Sequence, residues 1–317
     1  MARRITVSSL GQNPPRFPLE EKSIGYDELV EKMISFWKAQ IERVLPDAPD
    51  LIVLPETCDD YAGMPKEMAK PFRQARGDRM LQALQEIAKQ HHCNIAYATV
   101  REAADKTWRN VAMMIDRNGE VIGHYNKNHP TPYEIEDNIL AGMETPLIQC
   151  DFGTVGFVIC FDLNFDELRL KYKALKPDLL LFASMYHGGL MQSYWAYSCR
   201  AHFVGSVWHG NPNEIFSPQG EQLAHSTNYI PSITATINLD CALAHLDGNW
   251  GKLDALKQKY GRDVAVYDPG ELGSVLITSE SETVDVNAMV REFEIELLDD
   301  YLERVLKIQH DPANRGA

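Results

Sequence analysis

Apolar residues along this chain fall into two alternating rhythms. Short continuous runs, "LIVLP" (51–55), "CNIAYATV" (93–100), "NVAMMID" (110–116), "EVIGHY" (120–125), "VGFVIC" (155–160) and "DLLLFAS" (178–184), read as buried β-strands. Between them, apolar positions recur at three- and four-residue steps, which predicts helices over 26–45, 76–91, 166–176 and 189–203. Asn118-Gly119 sits between two of the strand runs and reads as a tight hairpin turn, because Asn-Gly tolerates positive φ angles; the sheet is therefore mixed. Strands flanked by amphipathic helices imply layered α/β packing around one core. After Asp240 the pattern weakens: glycines and aspartates interrupt faint strand signals, and 285–308 reads as one acidic, amphipathic helix. Residues 1–245 are read as the main domain, and 246–317 as a C-terminal extension packing on it or on a partner subunit.

Composition narrows the partners. The chain has 317 residues and a formal charge of −14, from 31 basic against 45 acidic residues, which disfavours nucleic acid or an anionic membrane. Cysteines 58, 93, 150, 160, 199 and 241 are scattered without a CxxC pair, as expected in a reducing compartment. The start, "MARRITVSSLGQNPPRF", lacks the apolar core of a signal peptide, and no run approaches the ~20 apolar residues that span a bilayer. A cytoplasmic protein is the expectation. His91-His92-Cys93 reads as a solvated helix end, since adjacent histidines rarely face one centre; no metal or other cofactor is called for.

Three side chains stand where predicted strands stop. Cys160 ends "VGFVIC", Glu56 follows "LIVLP", and Lys127 comes just past the second strand of the Asn-Gly hairpin. Singly, each has an ordinary explanation: a small hydrophobic filler, a helix cap, a solvated lysine. Jointly they describe a chemistry, if the three strands share one sheet and bring their ends to one edge. A thiolate attacks an acyl carbon, a carboxylate takes the thiol proton, and an ammonium stabilises the oxyanion.

The ordered set "LPE" (54–56), "YNKNH" (125–129) and "VICFDLNFDEL" (158–168) resembles the nitrilase superfamily of carbon–nitrogen hydrolases. "RNVAMMIDRNGEVIGHY" (109–125), "KPDLLLFAS" (176–184), Arg200-Ala201 and "SPQGEQLA" (217–224) support it, so the resemblance covers about residues 4–240. It implies an α/β fold, a four-layer α-β-β-α sandwich with mixed sheets, commonly paired as a homodimer or higher homo-oligomer. It also implies a Glu56–Lys127–Cys160 triad, with the backbone N–H of Phe161 as a second oxyanion donor. A further active-site glutamate is expected in the loop after the lysine; spacing does not separate Glu134 from Glu136, and Glu134 is favoured. Tyr186, His187, Arg200, Trp195 and Trp208 fall where the resemblance places the substrate pocket, and an arginine there suits a carboxylate-bearing substrate. His129, His187 and His209 would lie near that pocket, but a Cys-His dyad would leave Glu56 and Lys127 unexplained.

The chain departs from the family pattern in two places. Phe165-Asp166-Glu167 stands where a proline usually precedes the glutamate, and His202-Phe203-Val204 stands where Glu-Asn is common after Arg-Ala. The expected activity is hydrolysis of a non-peptide C–N bond, in a small amide or N-carbamoyl compound, through a cysteine thioester. The alternatives are a catalytically silent binding subunit of the same fold and a true nitrilase.

Overall fold

The computed structural model describes residues 1–18, 24–208 and 210–316. The chain forms two compact units, Ile5–Ile237 and a second made of Met1–Arg4 with Asn238–Ala317.

In the first unit the strands form two six-stranded sheets. One holds β1 (Arg4–Leu10), β2 (Leu51–Val53), β3 (Asn94–Glu102), β4 (Trp108–Ile115), β5 (Val121–Asn126) and β12 (Ser232–Asn238), in the order β12-β1-β2-β3-β4-β5. Strands β1, β2 and β3 run parallel, and β3, β4 and β5 run as antiparallel neighbours, so β2 and β5 end at the same edge. The other sheet holds β6 (Ile148–Cys150), β7 (Gly153–Ile159), β8 (Leu179–Ser184), β9 (His202–Val207), β10 (Glu214–Phe216) and β11 (Gln222–His225) in sequential order. Its centre, β7-β8-β9, is parallel, and every residue of β8 is buried, as the unbroken run "LLLFAS" demands.

Helices α1 (Tyr26–Glu42), α2 (Lys66–Arg76) and α3 (Arg79–His91) belong to the first sheet's side. Leu29, Met33 and Trp37 of α1 share a core with Leu84 of α3 and with Ile52 and Ile95 of β2 and β3. After the short α4 (Pro132–Glu136), α5 (Asp166–Leu175) and α6 (Leu190–Cys199) serve the second sheet. Buried Tyr172 of α5 fixes that layer: its hydroxyl donates to the Phe157 carbonyl of β7 at 2.6 Å and accepts from the Phe157 amide at 3.0 Å. The two sheets meet face to face through small residues. Ser9 donates to the Gly205 carbonyl at 2.8 Å, and Ser206 to the Leu10 carbonyl at 2.7 Å. The result is an α-β-β-α sandwich.

Several expectations need correction. The three strands named in the sequence do not share a sheet: β2 and β5 lie in the first and β7 in the second, because sheet-on-sheet stacking, not one long sheet, closes the core. Asn118 does not take a positive φ; only Gly119 does, at +81°, and the Asp116 carboxylate accepts from the Asn118 and Glu120 amides to complete the turn. Helix α2 is unheralded, since "KEMAKPFRQAR" contains Pro71 and buries only Phe72 and Arg76.

The second unit carries a three-stranded antiparallel sheet, β13 (Cys241–His245), β14 (Val264–Tyr267) and β15 (Ser274–Ser279), ordered β13-β15-β14, with α7 (Trp250–Tyr260) between its first two strands. The stretch 285–308 is two helices, α8 (Val286–Glu292) and α9 (Leu298–His310), separated where Glu294 adopts φ +50° and Ile295 turns into the core. Among the described residues no helix is long and apolar enough to cross a membrane.

Candidate active site

Glu56 follows the end of β2 through Leu54-Pro55 and is 2% exposed. Lys127 follows β5 and is equally buried, an arrangement tolerable for an ammonium only with paired charge. Its partners are Glu56 Oε1 and Glu134 Oε2, each 2.8 Å from Nζ. Burial works against the lysine charge, but the two carboxylates overcome it and raise its pKa. Burial likewise opposes ionisation of Glu134, and Lys127 with Asn110 reverses that, holding the carboxyl below its ordinary range. Asn110, at the start of β4, donates Nδ2 to Glu56 Oε1 and to Glu134 Oε1, both at 2.8 Å. Glu56 Oε2 is buried and lacks a hydrogen-bond partner.

Cys160 enters from the second sheet, directly after β7. Its φ is +48°, a left-handed conformation that costs a side-chain-bearing residue roughly 1–2 kcal/mol. Thr57, next to Glu56, is left-handed too, at φ +45°. Burial pushes the Cys160 thiol up to about 12, the Glu56 charge adds to this, and the Lys127 charge opposes it. The resting group is therefore a thiol. A ≈460 Å³ cleft joins these elements, with Glu56, Lys127, Glu134 and Cys160 among its lining and Tyr61, Met64, Val100, Ile139, Met185 and Trp208 along its walls.

Asp162 ties the lysine segment to the cysteine turn. This fully buried carboxylate accepts from the Ile159 amide at 3.1 Å, the Tyr125 hydroxyl at 2.8 Å, and the His129 amide and Nδ1 at 2.8 and 3.0 Å. His129 also meets Glu167 at 2.8 Å and stacks on Phe165, with centroids 3.9 Å apart; bonds to Asp162 first, then Glu167, raise its pKa against burial.

A family model described as carbon-nitrogen hydrolase matches residues 6–204. The chain belongs to the carbon–nitrogen hydrolase family. It is 26% identical over 191 residues to the nitrilase and fragile histidine triad fusion protein NitFhit of Caenorhabditis elegans, a match covering 56% of this chain and 43% of that protein. It is 25% identical over 203 residues to the chloroplastic omega-amidase of Arabidopsis thaliana, covering 59% of this chain and 55% of the relative. The chain thus spans about half the length of the curated relatives it matches. An amidase structure from Nesterenkonia sp. superposes with a TM-score of 0.62 at 13% identity, covering 74% of this chain and 89% of that one. The fold of this chain is that of the nitrilase superfamily.

Within that framework the remaining candidates separate. Glu134 sits on Lys127, whereas Glu136, on the same short helix, is exposed. Phe161 follows Cys160 in the turn and is half-buried. Tyr186 stands beside the site: burial, then neighbouring Cys160, pushes its phenol up to about 12, and its hydroxyl accepts from Asn164 at 3.0 Å. His187 turns elsewhere, with Nε2 3.0 Å from Glu214 and Nδ1 accepting from the Gly189 amide at 3.1 Å. Arg200 caps α6, donating to the Tyr197 carbonyl and lying 4.6 Å over the Tyr197 ring; it does not line the cleft. Trp208 does, donating to the Glu56 carbonyl at 2.8 Å, while Trp195 is buried against the Leu163 carbonyl at 3.0 Å. His209 lies outside the described residues.

Asn110 escaped the sequence reading, and the signal that separates Glu134, already favoured there, from Glu136 went unused. Asn110 gives no local signal, being one polar residue at the mouth of an apolar strand. Glu134 had a signal: Thr131-Pro132-Tyr133-Glu134 is a capping box, in which Thr131 accepts from the Glu134 amide at 3.3 Å and Glu134 Oε2 accepts from the Thr131 amide at 2.7 Å.

Proposed function

We propose that this chain hydrolyses the C–N bond of a small amide or N-carbamoyl compound through a thioester on Cys160. The observation carrying this reading is Lys127 held 2.8 Å from both Glu56 and Glu134, in one cleft with a cysteine at a left-handed turn. Because the thiol resists ionisation at neutral pH, a base must remove its proton at the moment of attack; Glu56 is the carboxylate beside it. Sulfur then bonds to the carbonyl carbon, and the Lys127 ammonium and the Phe161 N–H receive the developing oxyanion. The C–N bond breaks as Glu56 passes its proton to the departing nitrogen. Glu56 next deprotonates a water, which attacks the thioester; the C–S bond breaks, the acid leaves and the thiol is restored. Glu134 keeps Lys127 charged and in place throughout. The amidase and omega-amidase relatives support an amide over a nitrile as substrate.

The test is ammonia release from a panel of primary amides, N-carbamoyl amines, N-carbamoyl amino acids and nitriles, with Cys160→Ala as the blank. Turnover of at least one amide or carbamoyl compound is expected, lost in the blank and reduced by about 1,000-fold or more in Glu56→Gln. Turnover surviving in Cys160→Ala sinks the mechanism.

A further inference from the structure

The amide reading leaves open what else the substrate carries, and the charges around the cleft bear on this. Among the described residues lining it, the cations are Arg73 and Lys127, and the acids are Glu56, Asp60, Glu134 and Asp137. Both cations are engaged. Lys127 lies between two glutamates, and Arg73 on α2 grips Asp60 through Nε at 3.0 Å and a terminal nitrogen at 2.6 Å. Behind them, buried Arg76 is 2.9 Å from Asp59 and 3.6 Å from Asp60, so Asp60 is shared between two arginines. At the start of α2, Lys66 bonds Asp137. Arg200, the residue a carboxylate-bearing substrate would need by the sequence reading, is turned to Tyr197. The distal acids are matched too: Asp60 and Asp137 each hold a cation, while Glu56 and Glu134 share Lys127.

We infer that this cleft selects an uncharged, apolar acyl group and rejects a second charge at the far end of the substrate; the inference rests on the amidase reading above. A distal carboxylate would lose its hydration against Met64, Val100, Ile139 and Trp208 without gaining a cation, beside carboxylates already in excess. A distal ammonium would meet Asp60 and Asp137, each of which already holds a cation. An aliphatic or aromatic acyl chain meets walls of its own kind. Selection of this sort works as much by refusing the wrong charge as by gripping the right chain.

The experiment compares hexanamide with two analogues of matched length, adipamate, which ends in a carboxylate, and 6-aminohexanamide, which ends in an ammonium. For the wild-type chain, hexanamide is expected to have a kcat/KM roughly 100-fold or more above either. Equal or better turnover of a charged analogue overturns the inference while leaving the amidase reading intact. Calorimetry on Cys160→Ala separates the two failures in the other direction: binding of hexanamide alone supports the selection even where turnover is absent, and binding of adipamate as tight as hexanamide refutes it. Asp60→Asn frees Arg73 and should raise adipamate relative to hexanamide by about tenfold or more. An unchanged ratio in that variant refutes the part assigned to the Arg73–Asp60 pair.

Discussion

Asn110 holds two carboxylates with one amide group. Its side chain is 1% exposed and does not line the cleft, so it acts on Glu56 and Glu134 and not on the substrate. Replacing it by alanine removes a donor from each acid in a dry site where donors are scarce. For Asn110→Ala we expect kcat to fall about 10- to 100-fold with KM changed less than about threefold, since geometry and not binding is lost. Asn110→Asp, which sets a third carboxylate between the two, should be worse; wild-type kcat in Asn110→Ala, measured by ammonia release, would remove the residue from the site. At this scale the sequence was readable wherever a chemically unusual side chain ended an apolar strand. Glu56, Lys127 and Cys160 are such residues, and the structure brings them together. Asn110, Tyr186, His187 and Arg200 were not resolvable that way. Their roles depend on which way a side chain turns, and His187 and Arg200 turn to Glu214 and Tyr197.

Elements were legible in proportion to how strongly burial stamps a period on them. The predicted strands at 93–100, 110–116 and 178–184 coincide with β3, β4 and β8, all nearly or wholly buried. Helix α2 was lost because Phe72 is the one apolar residue it buries and the rest of its inward face is charge: Arg76 lies against Asp59, and Arg73 against Asp60. No hydrophobic period records such a face. The helix expected over 285–308 failed at Glu294, where one left-handed residue resets the direction without breaking the apolar spacing. Which strands share a sheet was beyond reach for a related reason. Fully apolar strands look alike in either sheet, and only the pairing of β2 with β3 and of β7 with β8 distributes them. Strand β9 combines both difficulties, since its buried run "HFVGSV" opens with a histidine.

That histidine bears on the stability of the whole molecule. Burial depresses His202 to about 4, with Asp178 opposing only in part, so the folded chain keeps the ring neutral while the unfolded chain protonates near the ordinary 6.5. Stability is then fully present above pH 6.5 and is lost as pH falls toward 4, by up to ~3 kcal/mol. His129 works in the opposite sense, because Asp162 and Glu167 raise its pKa and favour its charged form on folding. The measurement is therefore a difference: urea midpoints of wild type and His202→Leu from pH 7.5 to 5, with the variant losing less across that window. Parallel curves would show the ring to be wetter than its surroundings imply. Cys160 places a second demand on stability. At φ +48° the residue that fits without strain is glycine, so Cys160→Gly should melt above Cys160→Ala, by about 2 °C, in a thermal scan. An equal or lower midpoint would mean that the turn relaxes once the sulfur is gone. A lineage selected for folding alone would drift toward glycine there, and a silent descendant of this protein should show that exchange early. On the proposed function, the sulfur at this left-handed turn is the one group that glycine could not replace.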